Sequence, residues 1–189
     1  MVGWCGDTSI HRVLQIPPSL RYADIDKPFV ESIRGRLEPK ENPAHSRLQM
    51  RLGMWLVKWA KGCGEVGTEW RCYLVAGESR PSSLVPDVAY LSYRRWPRDL
   101  PMDARERPRV APDIAVEIVS SHENKQLSEE KARLYLAHGT NVVIQVCPEE
   151  RTITFRREEK TECVPARGLV SVPGYGDLTL DADALFGEA

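Results

Sequence analysis

Long apolar runs are missing from this chain. Nothing in its 189 residues approaches the roughly 20 consecutive apolar residues that span a bilayer, so a helical membrane protein is not expected. A basic start leading into an apolar stretch is missing too. The chain opens MVGWCGDTSIHR, which argues against a secretory signal and for a cytoplasmic protein. No C-x-x-C pair occurs. The five cysteines, Cys5, Cys63, Cys72, Cys147 and Cys163, are odd in number and loosely spaced. Neither a zinc ribbon nor a thioredoxin-like motif is signalled, and reduced structural thiols are expected. The net charge is −1, without the basic excess of a typical nucleic-acid binder. Local patches can still carry that electrostatics. Internal repeats and low-complexity tracts are absent as well.

What is present is an ordinary globular composition, 42% hydrophobic and 28% charged, with a generous five Trp. The length suits one domain with a sizeable core. Residues 1–28 read as an irregular segment broken by Pro17, Pro18 and Pro28, and 29–189 as a single domain. Residues 29–38 look like two extended pieces around a turn at Gly35. A helix follows, with Asn42 as cap and Pro43 in its first turn. Leu48, Leu52, Trp55, Leu56 and Trp59 recur on one face of it, and Gly62 stops it. Strands are expected at about 70–76 and 85–91, and the richest in β-branched residues at 113–120. A second helix is expected over about 128–138, stopped by Gly139. NVVIQVC and RTITFRR form a hairpin across Pro148, Glu149 and Glu150. The tail reads as a turn, a short strand and a short helical piece. This order predicts an α/β (α+β) fold, with a central mixed sheet flanked by helices.

Glu117 is the most informative residue. On strand 113–120, Ile114, Val116 and Ile118 point one way, and Asp113, Ala115, Glu117 and Val119 the other. Both faces are apolar near Glu117, so the strand is central and covered on both sides. A carboxylate there is expensive unless it is paired, protonated or bound to a metal. The plain alternative is a structural ion pair with an arginine. Asp87 follows Pro86 and opens the apolar run Val88-Ala89-Tyr90-Leu91. It either finishes a turn or approaches Glu117 from a neighbouring strand. Asp113 lies four residues from Glu117, about 13 Å along a regular strand. One ion cannot be held directly by both at that separation, so Asp113 reads as a strand-start or supporting residue, with direct metal ligation the lesser alternative. Lys131, with Tyr135 four residues on, shares a helical face that packs back over the sheet; the alternative is a solvated lysine. Arg94, Arg95, Arg98, Arg105, Arg107 and Arg109 cluster in one loop, diluted by Asp99, Asp103 and Glu106. That loop reads as a solvated surface or as a contact to nucleic-acid phosphates through Arg94, Arg95 and Arg98.

Pro86-Asp87, then Pro112-Asp113-Ile-Ala-Val-Glu117-Ile-Val-Ser120, then Lys131-x-x-x-Tyr135-x-x-x-Gly139 together resemble the Uma-two family. That is a bacterial group of restriction-endonuclease-like proteins in the PD-(D/E)XK nuclease superfamily. The resemblance runs from about residue 29 to the end. It includes Glu31 before a Gly turn, His45 at the start of the first long helix, and Pro173-Gly174 through Leu185-Phe186. It implies a nuclease core, a divalent cation (Mg²⁺ or Mn²⁺) and DNA as substrate. Asp87 is then the Asp of the Pro-Asp element, and Glu117 the acid of the (D/E)-x-K element. Val119 stands where the superfamily has Lys, with Lys131 as the replacement and Glu31 as a further carboxylate. The chain departs from its branch in lacking a proline after Ser120 and an aspartate shortly before Lys131.

Two functions of different class follow. One is a Mg²⁺-dependent endonuclease hydrolysing DNA phosphodiester bonds through Asp87, Glu117, Lys131 and Glu31. The other is an inactive nuclease-fold module that binds nucleic acid or a protein partner. A third, weaker reading is a structural protein with Glu117 neutralised by an arginine. A homodimer is left open, as are the target and the biological process.

Overall fold

The computed structural model describes residues 30–33, 36–39, 43–74, 82–106, 108–119 and 125–187; for 30–39 and Ser82 it describes the backbone alone. The irregular segment expected at 1–28 lies outside the described residues. In chain order the elements are β1 (Val30–Ile33), β2 (Arg36–Pro39), α1 (Pro43–Ala60), β3 (Gly64–Thr68), β4 (Cys72–Leu74), β5 (Ser82–Leu84) and β6 (Val88–Ser92). There follow α2 (Met102–Glu106), β7 (Ile114–Ile118), α3 (Lys125–Ala137), β8 (Val142–Cys147) and β9 (Thr152–Arg156). The chain closes with β10 (Thr161–Pro165), β11 (Leu169–Val172), β12 (Tyr175–Asp181) and α4 (Ala182–Phe186).

A six-stranded sheet in the order β10-β9-β8-β7-β6-β3 forms the centre. Its pairs are antiparallel except β7 with β8, which run parallel. A parallel pair needs a crossover, and α3 supplies it. The expected mixed sheet with a central strand at β7 is therefore found. Smaller sheets, β2-β1-β5-β4 and β11-β12, flank it.

Strand β7 is buried along its whole length, as its unbroken apolar run requires. Ile114, Val116 and Ile118 face one cluster, together with Leu48, Leu52 and Leu56 of α1 and Leu178, Leu180 and Leu185 from β12 and α4. Ala115 faces the other, with Leu127, Leu134 and Tyr135 of α3. The two sides of the sheet thus carry different helices, and α3 lies on the Glu117 side.

Strand β3 was not legible in the sequence, and its glycines explain both facts. A Cβ on Gly64 would overlap the Leu91 carbonyl, and one on Gly67 would lie 2.6 Å from the Trp70 ring. The strand needs residues of low β-propensity because its neighbours crowd it. Lys61 and Gly62 take left-handed φ values of 44° and 77° between α1 and β3, ending the helix where Gly62 predicts.

Candidate active site

Pro86 and Asp87 lead directly into β6, whose register with β7 pairs Val88 with Val116 and Ala89 with Ala115. Asp87 immediately precedes β6, so it lies at the end of the β6–β7 strand pair that also carries Glu117. Asp87 is fully buried and Glu117 is 5% exposed.

Each acid is held by bonds that fit an ionised carboxylate. The Ile118 amide donates to Asp87 Oδ2 at 2.5 Å. The side chain thereby satisfies a backbone donor where the ladder between the strands ends. His45 Nε2, in the first turn of α1, lies 3.2 Å from Asp87 Oδ1. Gln49, one turn on, donates through Nε2 to the Asp87 carbonyl at 2.9 Å and to Glu69 Oε1 at 2.7 Å. Across the site, Lys131 Nζ donates to Glu117 Oε2 at 2.6 Å, and the Tyr135 hydroxyl to Glu117 Oε1 at 3.0 Å. Lys131 Nζ also reaches the Val85 carbonyl at 3.4 Å. Helical spacing of four puts Lys131 and Tyr135 on one face of α3, and the crossover brings that face down onto β7. Gln145 of β8, the register neighbour of Glu117, anchors the start of α3 by donating to Ser128 Oγ at 2.7 Å. It also accepts from Arg156 Nε at 2.6 Å.

Among the described residues, the cation that meets Glu117 is a lysine, Lys131. Val119, where the resemblance leads one to expect Lys, donates its backbone N–H to Val146 and continues the sheet. The ammonium arrives from α3 instead.

Asp113, Arg94, Arg95 and Arg98 are not brought here. Asp113 sits at the opposite end of β7, accepting from the Ser92 amide at 2.7 Å and facing Arg95 Nε at 3.3 Å. The lesser alternative of direct metal ligation alongside Glu117 meets the same separation along the strand. Arg94, Arg95 and Arg98 follow Ser92, so they lie one strand length, about 17 Å, from Asp87. Arg95 also donates to the Ala111 carbonyl at 3.1 Å. Arg98 lies over the Tyr93 ring at 4.2 Å and reaches the Gly62 carbonyl. These two guanidinium groups pin the loop to the sheet, while Arg94 is exposed. Glu31 lies on β1, paired with Glu38, and its side chain is outside the described residues.

Sequence reasoning missed Gln49 and Glu69 and did not place His45 in the site. His45 and Gln49 are a polar i, i+4 pair beside an apolar stripe, and that was the available signal. Glu69 carried none: it enters through a left-handed φ of 52°.

Among the described residues, no three His, Cys, Asp or Glu side chains group as a metal cage. Asp87 and Glu117 nevertheless offer hard carboxylate oxygens, the ligand type that suits Mg²⁺ or Mn²⁺. Mg²⁺ in particular takes one or two protein carboxylates and fills the rest of its shell with water and phosphate oxygens.

Residues 16–182 match the model of the Uma2 family, described as "Putative restriction endonuclease". The fold is similar to that of a solved protein from Anabaena variabilis described as "a putative nuclease belonging to DUF820". The two are 25% identical, the similarity covers 84% of this chain and 90% of that one, and the TM-score is 0.68. No curated protein matches. The fold is of the restriction-endonuclease type, and the match spans most of the sequence: this chain belongs to the Uma2 family.

Proposed function

We propose that the chain is a divalent-metal-dependent endonuclease of the PD-(D/E)XK type that hydrolyses DNA phosphodiester bonds. One observation carries this reading: buried Asp87 and Glu117 lie at the same end of the β6–β7 strand pair, with Lys131 Nζ 2.6 Å from Glu117. The family match and the nuclease described among its solved relatives support it.

Asp87 and Glu117 would hold Mg²⁺ or Mn²⁺, with Glu31 as a further carboxylate. The ion, when bound, lowers the pKa of a water and offsets charge building on the phosphate. The Ile118 amide and His45 fix the direction of the Asp87 carboxylate, and Tyr135 fixes that of Glu117. Lys131 presents a cation beside the acids, where it orients the attacking water and stabilises charge on the scissile phosphate. The surrounding apolar clusters exclude bulk water and strengthen these electrostatic effects. A duplex turn is about 34 Å long, so DNA seated on the acids passes within reach of Arg94. Asp113 acts at a distance, by tying the Arg95 loop.

The test is cleavage of supercoiled, linear duplex and single-stranded DNA, with RNA in parallel, in Mg²⁺ or Mn²⁺. Wild type cuts DNA; Asp87→Ala and Glu117→Ala do not; Lys131→Ala is slower by about 10²-fold or more. Equal cutting by Glu117→Ala, or no cutting of any DNA form, ends the proposal.

A second reading, a binding module that has lost catalysis, is favoured by the occupancy of both Glu117 oxygens by Lys131 and Tyr135. The two readings differ in linkage. An ion at the site raises the melting temperature by mass action, worth about 2.7 kcal/mol at a hundred times its Kd. A lapsed site shows no such rise, and binds nucleic acid in a salt-sensitive manner without cutting.

A further inference from the structure

Among the described residues, the outer face of α1 carries exposed apolar side chains. Met50, Met54 and Val57 are 59%, 55% and 58% exposed. Their spacing of four and three residues puts them in one stripe. Beside the stripe runs β3, the edge strand of the large sheet, paired only with β6 among the described residues. Helix and strand enclose an open groove lined by Ser46, Met50, Gly53, Met54, Val66 and Thr68. Gly53 deepens it. A Cβ there would meet nothing nearer than Thr68 Cγ2 at 3.7 Å, an ordinary contact. Crowding therefore does not demand this glycine, although one inside a helix costs about 1 kcal/mol against alanine.

The charge on the helix side of the groove has one sign. Helix α1 contains no Asp or Glu. Arg47, Arg51 and Lys58, with Lys61 just beyond the helix, are exposed along the stripe, and Arg51 is steadied by the Leu185 carbonyl at 2.7 Å. Of the acids on the strand side, Glu65 pairs with Arg105, and Glu69 accepts from Gln49 at the active-site end of the groove.

We propose that this groove docks an acidic amphipathic helix of a partner protein, with apolar anchors at helical spacing. The two obvious rivals fit less well. A second copy would set one acid-free cationic helix against another. Nucleic acid would satisfy the cations but would lay its polar backbone across three apolar side chains. An acidic helix meets both features, with apolar residues in the groove and carboxylates on the arginines and lysines. Gln49 also lines the groove and bonds to the Asp87 carbonyl, so an occupant touches the wall of the candidate active site. That coupling rests on the function proposed above; the docking itself does not.

The experiment uses the full chain and fluorescent peptides of about 18 residues, the length of α1, read by anisotropy. One peptide is an amphipathic helix with leucines at i, i+4 and i+7 and glutamates elsewhere. A second has lysines in place of the glutamates, and a third is a scramble of the first. The acidic amphipathic peptide binds, and Met54→Glu or Val57→Glu weakens it about tenfold or more. Arg47→Glu/Lys58→Glu loses the acidic peptide and gains the lysine version. These side chains are exposed, so unchanged melting temperatures check that the variants are folded. No binding, equal binding of the scramble, or indifference to the substitutions overturns the proposal. So does a wild-type dimer in sedimentation that Met54→Glu converts to monomer, or short duplex DNA whose binding is lost in Met54→Glu.

Discussion

Removing one member of the buried Glu117–Lys131 pair leaves the other charged group in an apolar setting. Glu117→Ala strips the carboxylate from an ammonium that is itself buried. Breaking such a pair from one side costs about 3–5 kcal/mol, which urea denaturation would report. Replacing both, as Glu117→Met/Lys131→Leu, removes the desolvation penalty along with the attraction, so stability returns to near wild type or above. Cleavage stays absent in the double variant, separating the structural role of the pair from its chemical one. Cys72 offers a second residue-scale test. Burial pushes its thiol up from 9.0 to about 12, so the folded state holds the proton where the unfolded chain releases it. The stability associated with the neutral thiol is full below pH 9 and is lost as pH rises from 9 towards 12, by about 1.4 kcal/mol per pH unit. Cys72→Ala therefore has a flatter alkaline stability profile than wild type. In the native protein at pH 8, exposed Cys63 and Cys163 react with a thiol reagent and Cys72 does not.

Short elements depend on their ends. Helix α4 spans five residues, Ala182–Phe186, and Asp181 caps it by accepting from the Ala184 amide at 3.0 Å. Asp181→Ala is expected to destabilise the protein by about 1 kcal/mol, visible in thermal melting. A larger effect would mean that Asp181 does more than cap. Helices α1, α3 and α4 and the hairpin were legible because periodicity and stop signals are local: α1 ends near Gly62, and β8 and β9 pair antiparallel across residues 148–151. The five-residue α2 lies in the stretch read as a loop. Strands β3, β10 and β11 were not legible, for local reasons too. Gly64 and Gly67 dilute β3, β10 alternates exposed and intermediate residues with little apolar content, and β11 is a four-residue stretch too short to show a period. Their strand state comes from pairing with β6, β9 and β12, which a one-dimensional pattern does not contain.

At the scale of the whole molecule, the sheet has two ends with different work. Asp87, Glu117 and Lys131 gather at one. Asp113, Arg95 and Arg98 tie loops at the other. Arg95→Ala removes the ion pair to Asp113 and the bond to Ala111. It is expected to lower stability by about 1–2 kcal/mol and to leave nucleic-acid affinity and its salt slope unchanged. A loss of affinity with a smaller salt slope would instead make Arg95 a phosphate contact. No helix of the described residues is long and apolar enough to cross a membrane, in keeping with the lack of apolar runs.

The sequence by itself determined the fold type, the two long helices, the central strand and the identity of the buried acids. Each of these is written in local periodicity or in the cost of a charge among apolar neighbours. Tertiary structure alone decided the partners. The β6–β7 pairing sets Asp87 against the Ile118 amide, the α3 crossover delivers Lys131 to Glu117, and α1 brings His45 and Gln49 to Asp87. Those pairings join residues far apart in the chain, and only the closing of the sheet and its helices brings them within hydrogen-bonding distance.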